Sequence, residues 1–218
     1  MEPNKTLPIL SSTEIRVLGA LMEKSKTTPD YYPMTLNGLT AACNQKSSRK
    51  PVVEYDEETV VLALDSLKKK GLTSTATGGS SRATKYKHNF AIVYPVVPSQ
   101  VAVMALLFLR GALTPGEINS NSGRLYEFDS LDDVQEVLEQ LSSDETPFIV
   151  QIPKRAGQKE ARYVHLFAGE PDLNYEDEAV AEPARKSVGE LEARIATLEE
   201  NYAQLKTDFD KLMKEWIG

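Results

Sequence analysis

The chain contains few of the residues on which disulfides, metal centres and many active sites depend. Its 218 residues include one cysteine, one tryptophan and two histidines. The single cysteine, Cys43, excludes an intrachain disulfide and is typical of proteins of the reducing cytoplasm. One cysteine and two separated histidines do not supply the ligands of a usual zinc site. We therefore expect a cytoplasmic protein that is not an enzyme and holds no metal or cofactor.

Long apolar runs are missing as well. The longest uninterrupted run, residues 101–109, has nine residues, whereas a membrane-spanning helix needs about 20. The first residues do not show the basic-then-apolar order of a signal peptide. The sequence therefore predicts a protein with no membrane partner.

The excess of acidic side chains is unevenly distributed along the chain. Residues 1–95 carry 13 Lys and Arg against 9 Asp and Glu, a net charge of +4. Residues 96–170 carry 6 against 11, and residues 171–218 carry 6 against 12. Because acidic surfaces repel phosphate, any contact with nucleic acid is expected in the first part. The two acidic parts are expected to face protein.

An internal repeat is the most informative feature that the sequence does contain. The matching segments are residues 13–18 with 99–104, Thr28-Pro29 with Thr114-Pro115, and residues 85–88 with 162–165. The first two matches have an offset of 86 residues and the third an offset of 77, which indicates a nine-residue insertion in the first copy. Each copy has the predicted order helix, helix, helix, β-hairpin. The repeat predicts a mainly α (α+β) fold with two winged helix-turn-helix domains, a shape that usually presents a helix and a hairpin to nucleic acid.

Capping residues divide both copies into elements. A capping box of Ser11 and Glu14 is expected to begin the first helix. Further helix starts are predicted at Thr35, Asp56, Thr114 and Ser130. The hairpins, or wings, are expected over residues 72–89 and 148–167.

Four regions follow from these elements: a first winged-helix domain (residues 1–95), a second (residues 96–170), an acidic linker (residues 171–187) and a heptad helix (residues 188–218). Apolar side chains alternately three and four residues apart in the last region are typical of a coiled coil and predict a homodimer. The candidate dimerisation residues are Val188, Leu191, Ile195, Leu198, Tyr202, Leu205, Phe209, Leu212 and Trp216. The alternative is that this helix folds back on the winged domains.

Several motifs together resemble those of a known bacterial family. In chain order they are residues 28–33 (Thr-Pro-Asp-Tyr-Tyr-Pro), 36–37, 42–46 with Arg49, Arg82 with 85–88, 114–117 and 162–166. In this order they resemble the YceH-like family over residues 10–170. The resemblance implies tandem winged-helix domains and a C-terminal coiled coil. It implies no particular activity, because the family is known mainly as one of unassigned function.

The basic residues of the first domain are the candidate DNA contacts. They lie before the third helix and on the wing, where phosphate contacts are expected. The candidates are Lys46, Ser48, Arg49, Lys50, Arg82, Lys85 and Lys87. The third helix argues against this function, because it begins with Asp56, Glu57 and Glu58, and these acids repel phosphate. The hypothesis is a DNA-binding transcriptional regulator or nucleoid-associated adaptor that contacts double-stranded DNA through its first domain.

A protein-interaction adaptor is the competing hypothesis. The third helix of the second copy is acidic too, with Asp129, Asp132, Asp133 and Glu136 at or near its start. In this alternative the acidic helices bind basic protein partners, and the chain makes no direct contact with DNA.

Five further residues have two interpretations each. His88 and His165 occupy matching wing positions, where they could form a pH-sensitive contact or pack each wing onto its own helices. Tyr31 and Tyr32 could stack on a base or anchor a partner; otherwise one is buried against the first helix and the other half exposed. Cys43, on the apolar face of a short helix, is interpreted as a core residue rather than a redox sensor.

Overall fold

The computed structural model describes residues 7–76, 83–143, 146–154 and 160–171, together with residues 197, 199, 201–206, 209 and 211. The chain forms two units, Met1–Leu173 and Asn174–Gly218. The first unit combines helices with small antiparallel sheets, so the fold is α+β. This unit contains both copies of the repeat, which we call the first half (residues 1–95) and the second half (residues 96–170).

The first half runs through three helices into a hairpin. Its elements are α1 (Ser12–Thr27), a 3₁₀ turn (Pro29–Tyr31), β1 (Met34–Thr35), α2 (Leu36–Cys43), α3 (Glu57–Lys69), β2 (Thr73–Ala76) and β3 (Lys85–His88). The three strands form one antiparallel sheet in the order β1-β3-β2. A short helix, α4 (Phe90–Val93), leads into the second half.

The second half repeats this order with fewer additions. Its elements are α5 (Pro98–Arg110), α6 (Pro115–Ser122), α7 (Leu131–Ser143), β4 (Ile149–Ile152) and β5 (Arg162–His165). β4 and β5 pair in antiparallel register. Leu113 forms an isolated bridge with Tyr163, just as Met34 of β1 pairs with Tyr86 of β3.

The predicted helix caps are confirmed. Ser11 and Glu14 form a reciprocal capping box at α1, and the Thr35 hydroxyl accepts a hydrogen bond from the Gly38 amide at α2. Asp56 caps α3 through the Thr59 amide. The second half has corresponding bonds at Thr114–Glu117 and Ser130–Asp133. These short-range contacts satisfy backbone N–H groups that have no partner inside the helix.

One predicted match between the halves is wrong. Thr28-Pro29 forms the 3₁₀ turn, whereas Thr114 is the N-cap of α6. The residue in the place of Thr114 is Thr35, the N-cap of α2. The offset between halves is 86 residues at α1 and α5, which begin at 12 and 98, and 79 at α2 and α6, which begin at 36 and 115. The first insertion therefore precedes α2. A further offset change follows it, because α3 and α7 begin at 57 and 131.

The two halves share one hydrophobic core. The almost wholly apolar α5 packs along α1, and residues 101–109 are all buried. A Cβ atom at Gly19 of α1 would lie 2.9 Å from Cβ of Phe108, so glycine permits this close approach of the helices. The ring centroid of Phe90 lies 5.7–6.5 Å from the ring centroids of Phe108, Phe148 and Phe167. Because α5 covers α1 in this way, every residue from 14 to 22 of α1 is buried.

The heptad region falls within the second unit. Residues 201–206 and 209 are helical, and Tyr202, Leu205 and Phe209 are 70%, 68% and 59% exposed. The other six candidate dimerisation residues and the predicted acidic linker lie almost entirely outside the described residues. The coiled coil therefore stays a prediction. None of the described helices has the length and apolar character needed to span a bilayer.

Candidate nucleic-acid interface

The α2–α3 loop (residues 44–55) carries three of the candidate DNA contacts with exposed side chains. Lys46, Ser48 and Lys50 are exposed. The Asn44 side chain joins the first and last residues of the loop. Its Nδ2 donates to the Tyr55 carbonyl, and its Oδ1 accepts from the Tyr55 amide. Ser48 has φ = 60°, in the left-handed region that side chains other than glycine rarely adopt. The loop is therefore a defined structure that presents hydrophilic side chains to solvent.

Arg49 requires a correction, because its side chain has no exposed surface. Its guanidinium makes a bidentate pair with Glu23 of α1, at 3.1 and 2.6 Å. It also donates to the carbonyl oxygens of Ala42 and Ser48. Burial alone would raise the pKa of Glu23, but the hydrogen bonds and positive charges of Arg49 and Lys24 together outweigh it, so the pKa is lowered. Arg49 thus holds the loop from inside and does not reach a phosphate.

Arg16 of α1 is a second buried arginine under the loop, and it is not among the functional residues predicted from the sequence. It donates to the carbonyl of Cys43 at 3.1 Å and to that of Pro51 at 2.6 Å. Burial, followed by repulsion from Arg49, lowers its pKa. The carbonyls at the end of α2 carry partial negative charge and need partners, which both arginines supply.

The second half also holds the loop. The Lys50 amide donates to the Leu109 carbonyl at 2.8 Å, and Arg110 Nη2 donates to Ser48 Oγ at 2.9 Å. Both acceptor and donor belong to the end of α5. Arg110 could not be predicted from the sequence, because it lies 62 residues from Ser48 in the acidic half.

Two further candidates, Lys85 and Lys87, lie on β3. Lys87 is exposed and Lys85 half-buried. Because side chains alternate along a strand, both project from one face and Tyr86 and His88 from the other. Arg82 lies outside the described residues. The loop and β3 thus each contribute two lysines to the first half.

The start of α3 is acidic in the structure as in the sequence. Asp56, Glu57 and Glu58 are exposed. Hydrogen bonds from Thr59 lower the pKa of Asp56, so this carboxylate stays charged at neutral pH. An approach that placed this helix start against phosphate would meet three negative charges.

Both histidines are packed against their own half. His88 Nε2 lies 3.3 Å from Ser25 Oγ of α1, and its amide donates to the Tyr32 hydroxyl. The His165 ring packs edge-on against Phe108 of α5 at a centroid distance of 4.9 Å. Burial lowers both pKa values to about 4, with a contribution from Lys26 at His88. These contacts agree with the packing interpretation, and neutral rings are expected at physiological pH.

The remaining candidates also have defined positions. Cys43 is fully buried, and burial raises its pKa to about 12, which agrees with a core residue. Tyr31 is exposed, while Tyr32 is half-buried and lies against the wing residue His88 rather than only against α1. Within the described ranges, no three or more His, Cys, Asp or Glu side chains gather where they could hold a metal ion.

Comparison with known proteins identifies the family. The family described as "Protein of unknown function, DUF480" matches residues 10–158, more than half of the chain. The UPF0502 protein YceH of Escherichia fergusonii is 41% identical over 209 residues, covering 94% of this chain and 96% of the relative. The UPF0502 protein of Solibacter usitatus is 43% identical over 207 residues, covering 95% and 98%. The resemblance in the sequence motifs is confirmed, and the chain belongs to the DUF480 (UPF0502, YceH-like) family.

Proposed function

We propose that each half of the first unit is a winged helix. The order helix, short strand, helix, helix, strand, strand in the first half supports this interpretation, as does the sheet order β1-β3-β2. In the second half the Leu113–Tyr163 bridge takes the place of the short strand. The two hairpins then correspond to wings, and α3 and α7 to the helices that such domains usually present to a partner.

We further propose that the first half binds double-stranded DNA through phosphate contacts. The observation that carries this proposal is the set of lysines on its α2–α3 loop and wing strand: Lys46, Lys50, Lys85 and Lys87. The second half has no such set among its described residues. Its corresponding connection, residues 123–130, contains one cation, Arg124, beside Glu127 and Asp129. Arg162 of β5 is paired with Glu117.

The proposed mode uses the loop and the wing rather than insertion of α3. Lysine contacts to phosphate add affinity without reading sequence. The acids at the start of α3 oppose its entry into a groove lined by phosphates. The chain is therefore proposed to be a DNA-binding regulator or nucleoid-associated adaptor of low sequence selectivity, without enzymatic activity.

Self-association through the heptad helix belongs to the same proposal. The exposed Tyr202, Leu205 and Phe209 occupy heptad a and d positions and would be covered in a coiled coil. Two copies would then place two basic halves on one duplex, which raises the effective local concentration of the second. A monomer in sedimentation equilibrium at micromolar concentration would contradict this part.

The test of DNA binding is fluorescence anisotropy of the full-length chain on a mixed-sequence duplex at about 50 and 200 mM salt. We expect binding at the lower salt that weakens steeply at the higher. Lys85→Ala/Lys87→Ala should weaken binding. It should also make the slope of log affinity against log salt concentration shallower by about 2, because two phosphate contacts are lost. The matched control is Arg124→Ala/Lys154→Ala, which removes two exposed cations from the second half. No binding at 50 mM salt, or equal losses in both variants, would contradict the proposal.

The adaptor function is a second candidate, supported by the exposed face of α7. Asp132, Glu136 and Glu139 are exposed there beside Leu131, which is 47% exposed. Charge of one sign around an exposed leucine fits a basic protein partner. Affinity capture with wild-type protein and with Asp132→Lys/Glu136→Lys tests it: partners that both proteins retain equally would contradict binding through α7.

A further inference from the structure

We infer that the second half positions the α2–α3 loop of the first half, with Arg110 as the positioning residue. This inference rests on the DNA-binding function proposed above and adds how its loop is held. Two hydrogen bonds join the loop to α5: the Arg110 side chain donates to the Ser48 hydroxyl, and the Lys50 amide donates to the Leu109 carbonyl. The exposed lysines of the loop therefore depend on a residue from the other half.

The Leu109 carbonyl oxygen needs a hydrogen-bond donor from outside its own helix. It belongs to the last turn of α5, whose final carbonyls have no partner inside the helix. Leu109 is buried, so water does not readily take the place of a missing donor. The Lys50 amide satisfies this oxygen at 2.8 Å. The contact fixes the backbone of a lysine whose side chain is exposed.

Ser48 is held by arginines of both halves. Arg49 donates to its carbonyl at 2.9 Å from the inner side, and Arg110 donates to its hydroxyl at 2.9 Å. Its φ of 60° is unfavourable for serine and persists only where the surroundings determine it. Loss of either arginine contact should release this residue from the left-handed conformation and loosen the loop on both sides of it.

Arg110 cannot be replaced by the neighbouring arginine. Arg49 already directs its donors to Glu23, Gln45 and the carbonyls of Ala42 and Ser48. Arg110 is also partly buried, which restricts the positions that its guanidinium takes. The basic surface of the first half is thus a composite surface, and the first half without α5 would present its loop lysines in many arrangements.

The decisive experiment measures amide hydrogen exchange of the loop in the full-length, DNA-free protein. Arg110→Ala should accelerate exchange at the Lys50 amide by about tenfold, the effect of losing one charged hydrogen bond that restrains the loop. Ser48→Ala removes the acceptor without changing any charge and should accelerate it similarly. Arg124→Ala, which removes an exposed arginine of the same half, should leave it unchanged. A wild-type exchange rate at the Lys50 amide in both Arg110→Ala and Ser48→Ala would overturn the inference.

Anisotropy with the same variants links the loop to DNA. Arg110→Ala and the charge-neutral Ser48→Ala should each weaken binding several-fold, whereas Arg124→Ala should change it little. Wild-type affinity in Ser48→Ala would show that only the charge of Arg110 matters and would overturn the positioning role in binding. Failure of the wild-type protein to bind DNA would overturn the proposed function, while the exchange measurement would still decide whether Arg110 holds the loop.

Discussion

The two halves of the first unit share their internal contacts and differ in their connections. Both have a threonine N-cap on the second helix and a Tyr-x-His hairpin packed on their own first helix. The first half joins its second and third helices through the basic loop held by Arg49, whereas residues 123–130 of the second half form a shorter, acidic connection. The scaffold is therefore common, and what each half offers to a partner is determined by its connections.

The largest expected contrast concerns the ion pair of each half. The side chain of Arg49 is 0% exposed and that of Glu23 13%, whereas Arg162 and Glu117 are 22% and 31% exposed. Arg49→Ala leaves a buried carboxylate without its partner and should lower the free energy of unfolding by about 3–5 kcal/mol. Arg162→Ala should lower it by about 1 kcal/mol, because solvent screens that pair. Urea unfolding midpoints measure the difference, and equal losses would contradict the contrast.

The histidines should behave alike in both halves. Each has a pKa of about 4 in the folded protein, below the ordinary value of 6.5. The unfolded chain therefore binds more protons as the pH falls below 6.5, so stability present above that pH is lost as the pH falls toward 4. Between pH 7 and 5 the loss should be about 2 kcal/mol for each histidine.

Single variants test this equality. His88→Gln and His165→Phe should each remove half of the change in the free energy of unfolding between pH 7 and 5. Glu14 and Glu23 have pKa values lowered below 4.5 and titrate at more acidic pH, so they do not obscure this window. A pH dependence that is unchanged in both variants would show that the rings are already charged or exposed in the folded protein.

Helix caps and the hairpin motifs could be predicted because their contacts are local. Ser11 bonds to Glu14, and Thr114 to Glu117, three residues along the chain, so the residue types alone indicate the geometry. The role of Arg49 could not be predicted in this way. Its partner Glu23 is 26 residues away, and the surrounding segment is polar and basic. Nothing in that composition separates a buried arginine from the exposed lysines beside it.

The alignment of the halves failed for a related physical reason. Thr28-Pro29 and Thr114-Pro115 are the same dipeptide, and proline favours the first position of either a 3₁₀ turn or an α-helix. Only the strand pairing separates them, because Met34 pairs with Tyr86 and Leu113 with Tyr163. Pairing of distant segments depends on the folded chain and is not encoded in a dipeptide.

A smaller contrast concerns two glycines in helical conformation. A Cβ atom at Gly19 would lie 2.9 Å from Phe108 Cβ and 3.0 Å from Leu109, whereas one at Gly123 would meet nothing within 4 Å. Gly19→Ala should lower the free energy of unfolding by about 1–2 kcal/mol, since overpacking outweighs the better helix propensity of alanine. Gly123→Ala should raise it by about 0.5 kcal/mol. Thermal midpoints that rise in both variants would show that α1 and α5 can move apart without penalty.

The smallest expected contrast is between the caps of the second helices. Thr114 both accepts from the Glu117 amide and donates its own amide to the Glu117 carboxylate, whereas Thr35 only accepts from Gly38 at 3.3 Å. Thr114→Ala should lower the free energy of unfolding by about 1 kcal/mol and Thr35→Ala by about 0.5 kcal/mol. Serine in either place retains the capping oxygen and should restore most of the loss in urea unfolding. The second half has Glu117 three residues after its cap, whereas the first half has Gly38, which has no side chain to support the cap. A larger loss at Thr35 would therefore mean that the first half depends on the threonine hydroxyl alone.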